Sequence, residues 1–149
     1  MAVRFLRVVA LVACLLAASA LPALARPAHH LAGGGTASLS QIAVNVAIGD
    51  DGSASGSFEC LMAGRSAFAL EPFGLAHVMA VHATPAAGGV DGSVARFSGP
   101  ARLVMDHGQH VDVHVHVWVD AASQRFQLTV DEVGTLPVEE MLTGRLRLD

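Results

Sequence analysis

Between residues 110 and 120 the chain reads His110-Val111-Asp112-Val113-His114-Val115-His116-Val117-Trp118-Val119-Asp120. Successive side chains of an extended strand point to opposite faces, so this stretch sorts into two sets. The five odd positions are all Val, and the even ones hold three His, two Asp and the protein's only Trp. Imidazole and carboxylate donors on one face suit Zn2+, Cu2+, Ni2+ or Fe2+ rather than Ca2+. Same-face neighbours on a strand lie roughly 6.5–7 Å apart, so His114 and His116 can lean onto one ion with bonds of about 2.1 Å. Asp112 or His110 would add a third ligand, making His110, Asp112, His114 and His116 the candidate metal set. A fourth ligand must come from a neighbouring strand, where His77 and His82 are the interior candidates. If 75–84 is one strand, those two have opposite parity and only one of them can face the site. The competing reading is a solvated, His-rich strand face, which antiparallel sheets commonly keep. Either way, the four His within 107–116 would change the charge of this region in a mildly acidic medium.

The valine row works as a buried face only if other strands pack against it, and the rest of the chain supplies them. Turn signals recur every eight to twelve residues after residue 35, the spacing of an all-β sandwich or barrel. Ile42, Val44, Val46 and Ile48 alternate, and Gly49-Asp50-Asp51-Gly52 then makes a hairpin-type turn. Ala54, Gly56, Phe58, Cys60 and Met62 share the next face. A short segment with Phe68 and Leu70 ends at Glu71-Pro72-Phe73-Gly74, and 75–84, mostly apolar on both faces, reads as a central strand or else a short helix. Residues 85–92, rich in Gly, Ala and Pro, read as a loop. Two strands, 94–97 and 101–105, are divided by Gly99-Pro100, and Asp106-His107-Gly108 turns into the strand 109–119. Phe126, Leu128 and Val130 alternate again, while Leu142, Gly144, Leu146 and Leu148 form a closing strand. The expected fold is all-β: a single antiparallel β-sandwich or barrel of about eight strands over 36–149.

The N-terminus reads as an export signal. Arg4 and Arg7 precede an uncharged apolar run, Val8 to Leu21, which Pro22 breaks before the small-x-small site Ala23-Leu24-Ala25. That run of about 14 residues is short for a bilayer-spanning helix, which needs roughly 20. Residues 1–25 are therefore expected to form a cleaved signal peptide, a signal helix, with 26–35 as a flexible lead-in. Leu11-Val12-Ala13-Cys14 resembles a bacterial lipobox, but acylation at Cys14 would leave an apolar tail, Leu15-Leu16-Ala17-Ala18, on the mature protein. Cleavage after Ala25 leaves one cysteine, Cys60, and so no internal disulfide even in an oxidising compartment. In its alternating apolar setting Cys60 reads as a small buried hydrophobe.

The chain of 149 residues has 13 acidic and nine basic residues, all nine of them Arg, a formal net charge of −4. That balance argues against a nucleic-acid-binding surface. Its 52% hydrophobic and 15% charged composition argues against disorder. There is no Gly-x-Ser-x-Gly elbow, P-loop or His-Glu-x-x-His. Asp131-Glu132 and Glu139-Glu140 are adjacent acids that read as solvated loop residues. Arg145 and Arg147 share the polar side of the last strand.

Gly108, His114-Val115-His116 and Asp120 resemble the spacing of the first cupin metal motif, with Asp in place of Glu. The resemblance would make His114, His116 and Asp120 ligands. Gln127 stands where that family has Gly, and no His follows His116. The His-x-His strand is also superficially similar to that of copper/zinc superoxide dismutase, whose disulfide and later His ligands have no counterpart here. More broadly, the order Gly56-Ser57-Phe58-Glu59-Cys60, Ala95-Arg96-Phe97-Ser98-Gly99, Val115-His116-Val117-Trp118-Val119-Asp120, Phe126-Gln127-Leu128 and Leu142-Thr143-Gly144 resembles small exported bacterial β-domains. That resemblance implies a binding or structural module and carries no catalytic residues.

The sequence thus leads to an exported, non-enzymatic β-domain of the periplasm, cell envelope or extracellular space. Its expected partner is an envelope or extracellular ligand, with no nucleic acid, no membrane span in the mature chain and no resident cofactor. The alternative is a transition-metal protein or metal-dependent enzyme holding Zn, Cu or Ni on the His/Asp face 110–120.

Overall fold

The computed structural model describes residues 28–63, 78–131 and 133–149. These are all-β, and every strand pairing is antiparallel. Eleven strands are described: β1 (His29–Thr36), β2 (Gln41–Ile48), β3 (Ala54–Ala63), β4 (Val78–Ala83), β5 (Ala87–Asp91), β6 (Val94–Met105), β7 (His110–Asp120), β8 (Arg125–Val130), β9 (Gly134–Thr135), β10 (Glu139–Glu140) and β11 (Arg145–Leu148). They form one sheet in the order β10-β8-β7-β6-β4-β3-β2-β1-β11, with β5 beside β6 and β9 beside β8. No described helix is long and apolar enough to cross a membrane.

The sheet curls into a half-barrel because one residue parity of each main strand is apolar and must leave water. Its concave side carries Ile42, Val44, Val46 and Ile48 of β2, with Phe58, Cys60 and Met62 of β3, all at most 5% exposed. Facing them are Phe97 and Leu103 of β6, Val115, Val117 and Val119 of β7, and Phe126, Leu128 and Val130 of β8. Phe58 and Phe97 meet edge to face, with centroids 5.7 Å apart. The valine row behaves as its parity requires, although Val111 and Val113 are only partly buried and pack at the margin of the core.

Hydrogen bonds lace the two ends of the curl together. Leu142 N donates to Thr36 O at 2.8 Å and Ser38 N to Glu140 O at 3.1 Å. Gln124 adds a clamp. Its backbone takes φ 58°, and its side-chain amide accepts from Leu146 N and donates to Leu146 O, both at 2.9 Å. The side chain therefore stands in for a strand peptide opposite β11.

Four expectations about the elements are corrected. The lead-in 26–35 becomes, from His29 onward, strand β1, paired on one side with β2 and on the other with β11. Its Gly33-Gly34-Gly35 is not a linker. A Cβ on Gly33 would lie 1.9 Å from Arg145 O, and one on Gly34 2.4 Å from Ile42 O, so only glycine lets the flanking backbones approach this closely. The loop 85–92 contains β5, a strand formed by pairing with β6 rather than by propensity. The expected break at Gly99-Pro100 does not occur: β6 runs unbroken over twelve residues. Its neighbour changes there, from β5 along 94–98 to β4 along 101–105. Pro100 O accepts from Thr84 N on that side, so the N–H that proline lacks falls at the hand-over between partners. Leu142 also leaves the closing strand and is 67% exposed. The signal segment 1–25, Cys14, the segment containing Phe68 and Leu70, and His77 lie outside the described residues.

Candidate metal centre

The polar parity of β7 faces outward. His110, Asp112, His114 and His116 are exposed, and Trp118 and Asp120 half-buried. Pairing with β6 and β8 turns this one row into a grid. Arg102 lies opposite Asp112, Pro100 opposite His114, Ser98 and Thr129 opposite His116, and Arg96 and Gln127 opposite Trp118.

Only half of the expected ligand set converges. His114 and His116 stand edge to face with centroids 5.0 Å apart, and the third donor is Asp131, from the end of β8. Asp131 N donates to His114 O at 2.9 Å, which extends the β7–β8 ladder one residue beyond the inward-facing Val130. The next parity faces outward, so the Asp131 carboxylate lies over the two imidazoles. His114 Nδ1 is 3.5 Å from Oδ2, and His116 Nε2 is 3.4 Å from Oδ1. One donor atom from each of the three residues lies within 4.8 Å of the others. Donors held at about 2.1 Å from a tetrahedral ion are separated by roughly 3.4 Å, and each imidazole lies near that distance from one of the two carboxylate oxygens.

His110 and Asp112 do not join. Asp112 turns to Arg102, 3.7 Å away, and His110 lies a further strand step out on the exposed face. His82 is also elsewhere, 3.7 Å from Glu59 across the β3–β4 pair. Asp120, the third ligand implied by the cupin-like spacing, holds a turn instead. It accepts hydrogen bonds from the hydroxyls of Ser123 and Ser93 and from Ala122 N, and these keep its carboxyl below the usual carboxylate range. Asp131, which as one of two adjacent acids is expected to be a solvated loop residue, is the third donor instead. The available signal was its parity: it follows the alternating Phe126, Leu128 and Val130 by one residue.

Glu139, also expected to be a solvated loop acid, is buried instead. It is 2% exposed, and its carboxyl accepts hydrogen bonds from Leu39 N, Ser40 N and the Ser40 hydroxyl at 2.8–3.0 Å. Beside it lies Cys60, buried as expected. Burial pushes its thiol up to about 12, against a smaller lowering by the hydrogen bond with Ser40. Cys60 should therefore resist a thiol reagent in the folded chain at about pH 8.5, where an ordinary thiol is half ionised, and react once urea unfolds it. Labelling of Cys60 in the native chain at the rate of free cysteine, located by peptide mass, would contradict this burial. Because the folded value is raised, its contribution to stability is complete below the ordinary thiol range. That contribution is lost as pH rises from there toward 12.

The candidate metal centre is open. The His114, His116 and Asp131 side chains are 46–56% exposed, so solvent or a ligand can complete the coordination shell. Closed four-ligand sites serve structure, whereas three ligands with a free position allow exchange. No protein-family model, curated protein or solved structure matches this chain.

Proposed function

We propose that this protein is an exported, non-enzymatic binding module that holds an exchangeable transition-metal ion on the outer face of its sheet, through His114, His116 and Asp131. The observation that carries the reading is the convergence of two imidazoles and one carboxylate from β7 and the end of β8, at spacings that suit one ion. Two nitrogens and an oxygen without thiolate favour Cu2+, Ni2+ or Zn2+, with Cu2+ bound most tightly. The Arg4/Arg7, apolar-run and Ala23-Leu24-Ala25 pattern supports export to a compartment where such an ion is met outside the cell or in its envelope. Catalysis is not part of the reading, because the resemblance to exported β-domains carries no catalytic residues and no nucleophile motif occurs.

Titration of the untagged, metal-stripped full chain with Zn2+ or Cu2+ tests it. One equivalent should bind, and at a hundredfold excess over Kd it should stabilise the fold by about 2.7 kcal/mol, reversibly with chelator. The double variant His114→Ala, His116→Ala should show neither effect. An unchanged isotherm in that variant would end the metal reading and leave a module recognising its ligand without a metal.

A further inference from the structure

Next to the metal centre the outer face holds a groove of about 270 Å3. One row of cross-strand partners runs through it: Gly89 on β5, Arg96 on β6, Trp118 on β7 and Gln127 on β8. Ser98 and His116 line the adjoining row.

We infer that this groove binds a small planar ring carboxylate, with the ring against the Trp118 indole and the carboxylate on the Arg96 guanidinium. Five features support it. Trp118 is half-buried beside open space, so one side of its ring is already desolvated while the groove remains free for a stacking partner. Across this face Arg102 pairs with Asp112 at 3.7 Å, and Arg125 with Glu140 at 3.8 Å, whereas Arg96 has no acidic partner among the described residues. An unneutralised guanidinium in a chain of net charge −4 selects an anion, and its fork matches a carboxylate. Gly89, on the outward parity opposite Arg96, puts no side chain over this end of the groove; a Cβ built there meets nothing within 4 Å. The volume sits at the small end of ligand sites and suits a single ring rather than a chain of residues. Arg96 and Trp118 are direct cross-strand partners, so one ring acid can touch both.

The inference is separable from the metal reading: His116 borders both the groove and the metal centre, but His114 and Asp131 do not line the groove. Benzoate is the probe, and the reporter is the indole N–H resonance of the only Trp in the metal-stripped full chain. A saturable shift with Kd on the order of 1 mM is expected. Benzyl alcohol, which has the ring without the charge, and acetate, which has the charge without the ring, should each bind at least tenfold more weakly. Arg96→Gln should weaken benzoate at least tenfold. Gly89→Phe should abolish binding by filling the groove. Its backbone is free of positive φ and circular dichroism reports whether it folds; should it not fold, Arg96→Gln on an exposed side chain decides. The double variant His114→Ala, Asp131→Asn should keep benzoate binding while losing Zn2+ or Cu2+, so the two readings fail separately. The inference is overturned by the absence of a saturable shift at about ten times the expected Kd, by equal binding of acetate, or by benzoate binding undiminished in Arg96→Gln or in folded Gly89→Phe.

Discussion

Asp131→Asn is expected to weaken Zn2+ or Cu2+ binding by at least 10–100-fold, while Asp112→Asn leaves it within a factor of about two. Loss of a group that merely orients a metal ligand commonly costs 10–100-fold, so loss of a ligand itself sets that range as a floor. Asp131 is the anionic member of the set and contacts both imidazoles, at 3.4 and 3.5 Å. An amide keeps its shape and removes its charge. Asp112 shares the strand and the face of the two His, and on sequence spacing alone it is the better candidate. Its carboxylate instead lies 3.7 Å from Arg102 and is 85% exposed. Paired titrations of the two variants decide between them. Equal losses would mean that the ion sits along β7 rather than across the β7–β8 pair. Acid should release the ion from the wild type, because each imidazole must be neutral to ligate.

Glu139→Ala is expected to destabilise the fold by about 3 kcal/mol, a fall in Tm of about 10 °C for a domain of this size. The carboxyl group is buried and receives Leu39 N, Ser40 N and the Ser40 hydroxyl. Its removal strands the two buried Ser40 donors and leaves part-buried Leu39 N without its partner, and each buried donor left unmade costs about 1–3 kcal/mol. The same contact joins β10 to the turn between β1 and β2, one of the places where the ends of the sheet meet. Loss should therefore appear as faster amide exchange at residues 36–41 as well as in Tm. Glu139→Gln keeps one acceptor oxygen and should lose less. Glu140, the next residue, is an internal control. It is exposed and 3.8 Å from Arg125, and its replacement by Ala should cost no more than about 0.5 kcal/mol. If the two alanine variants melt together, Glu139 does not hold the seam.

The adjacent acids show where reading by residue type stops. Glu139 and Glu140 are identical in chemistry and neighbours in sequence, yet one is buried and hydrogen-bonded and the other lies in water. A two-residue strand shows no periodicity, so nothing local says which side faces in. Longer alternations were legible. Ile42 to Ile48, Phe58 to Met62, Phe126 to Val130 and the second half of the valine row all bury the parity their pattern assigns. Composition misled at Gly33-Gly34-Gly35 and at Gly88, where glycine marks close backbone contact inside a sheet rather than freedom outside it, and at residues 87–91 as a whole, which pair with β6.

The alternation of side chains along an extended backbone is a local, covalent consequence of strand geometry, so the sequence alone determined an all-β chain and an outward row of His and Asp on β7. Which groups become neighbours across that face is set by strand register, through hydrogen bonds between segments far apart in the chain. Only the tertiary structure therefore placed Asp131 over His114 and His116, turned Asp112 to Arg102, and set Arg96 beside Trp118.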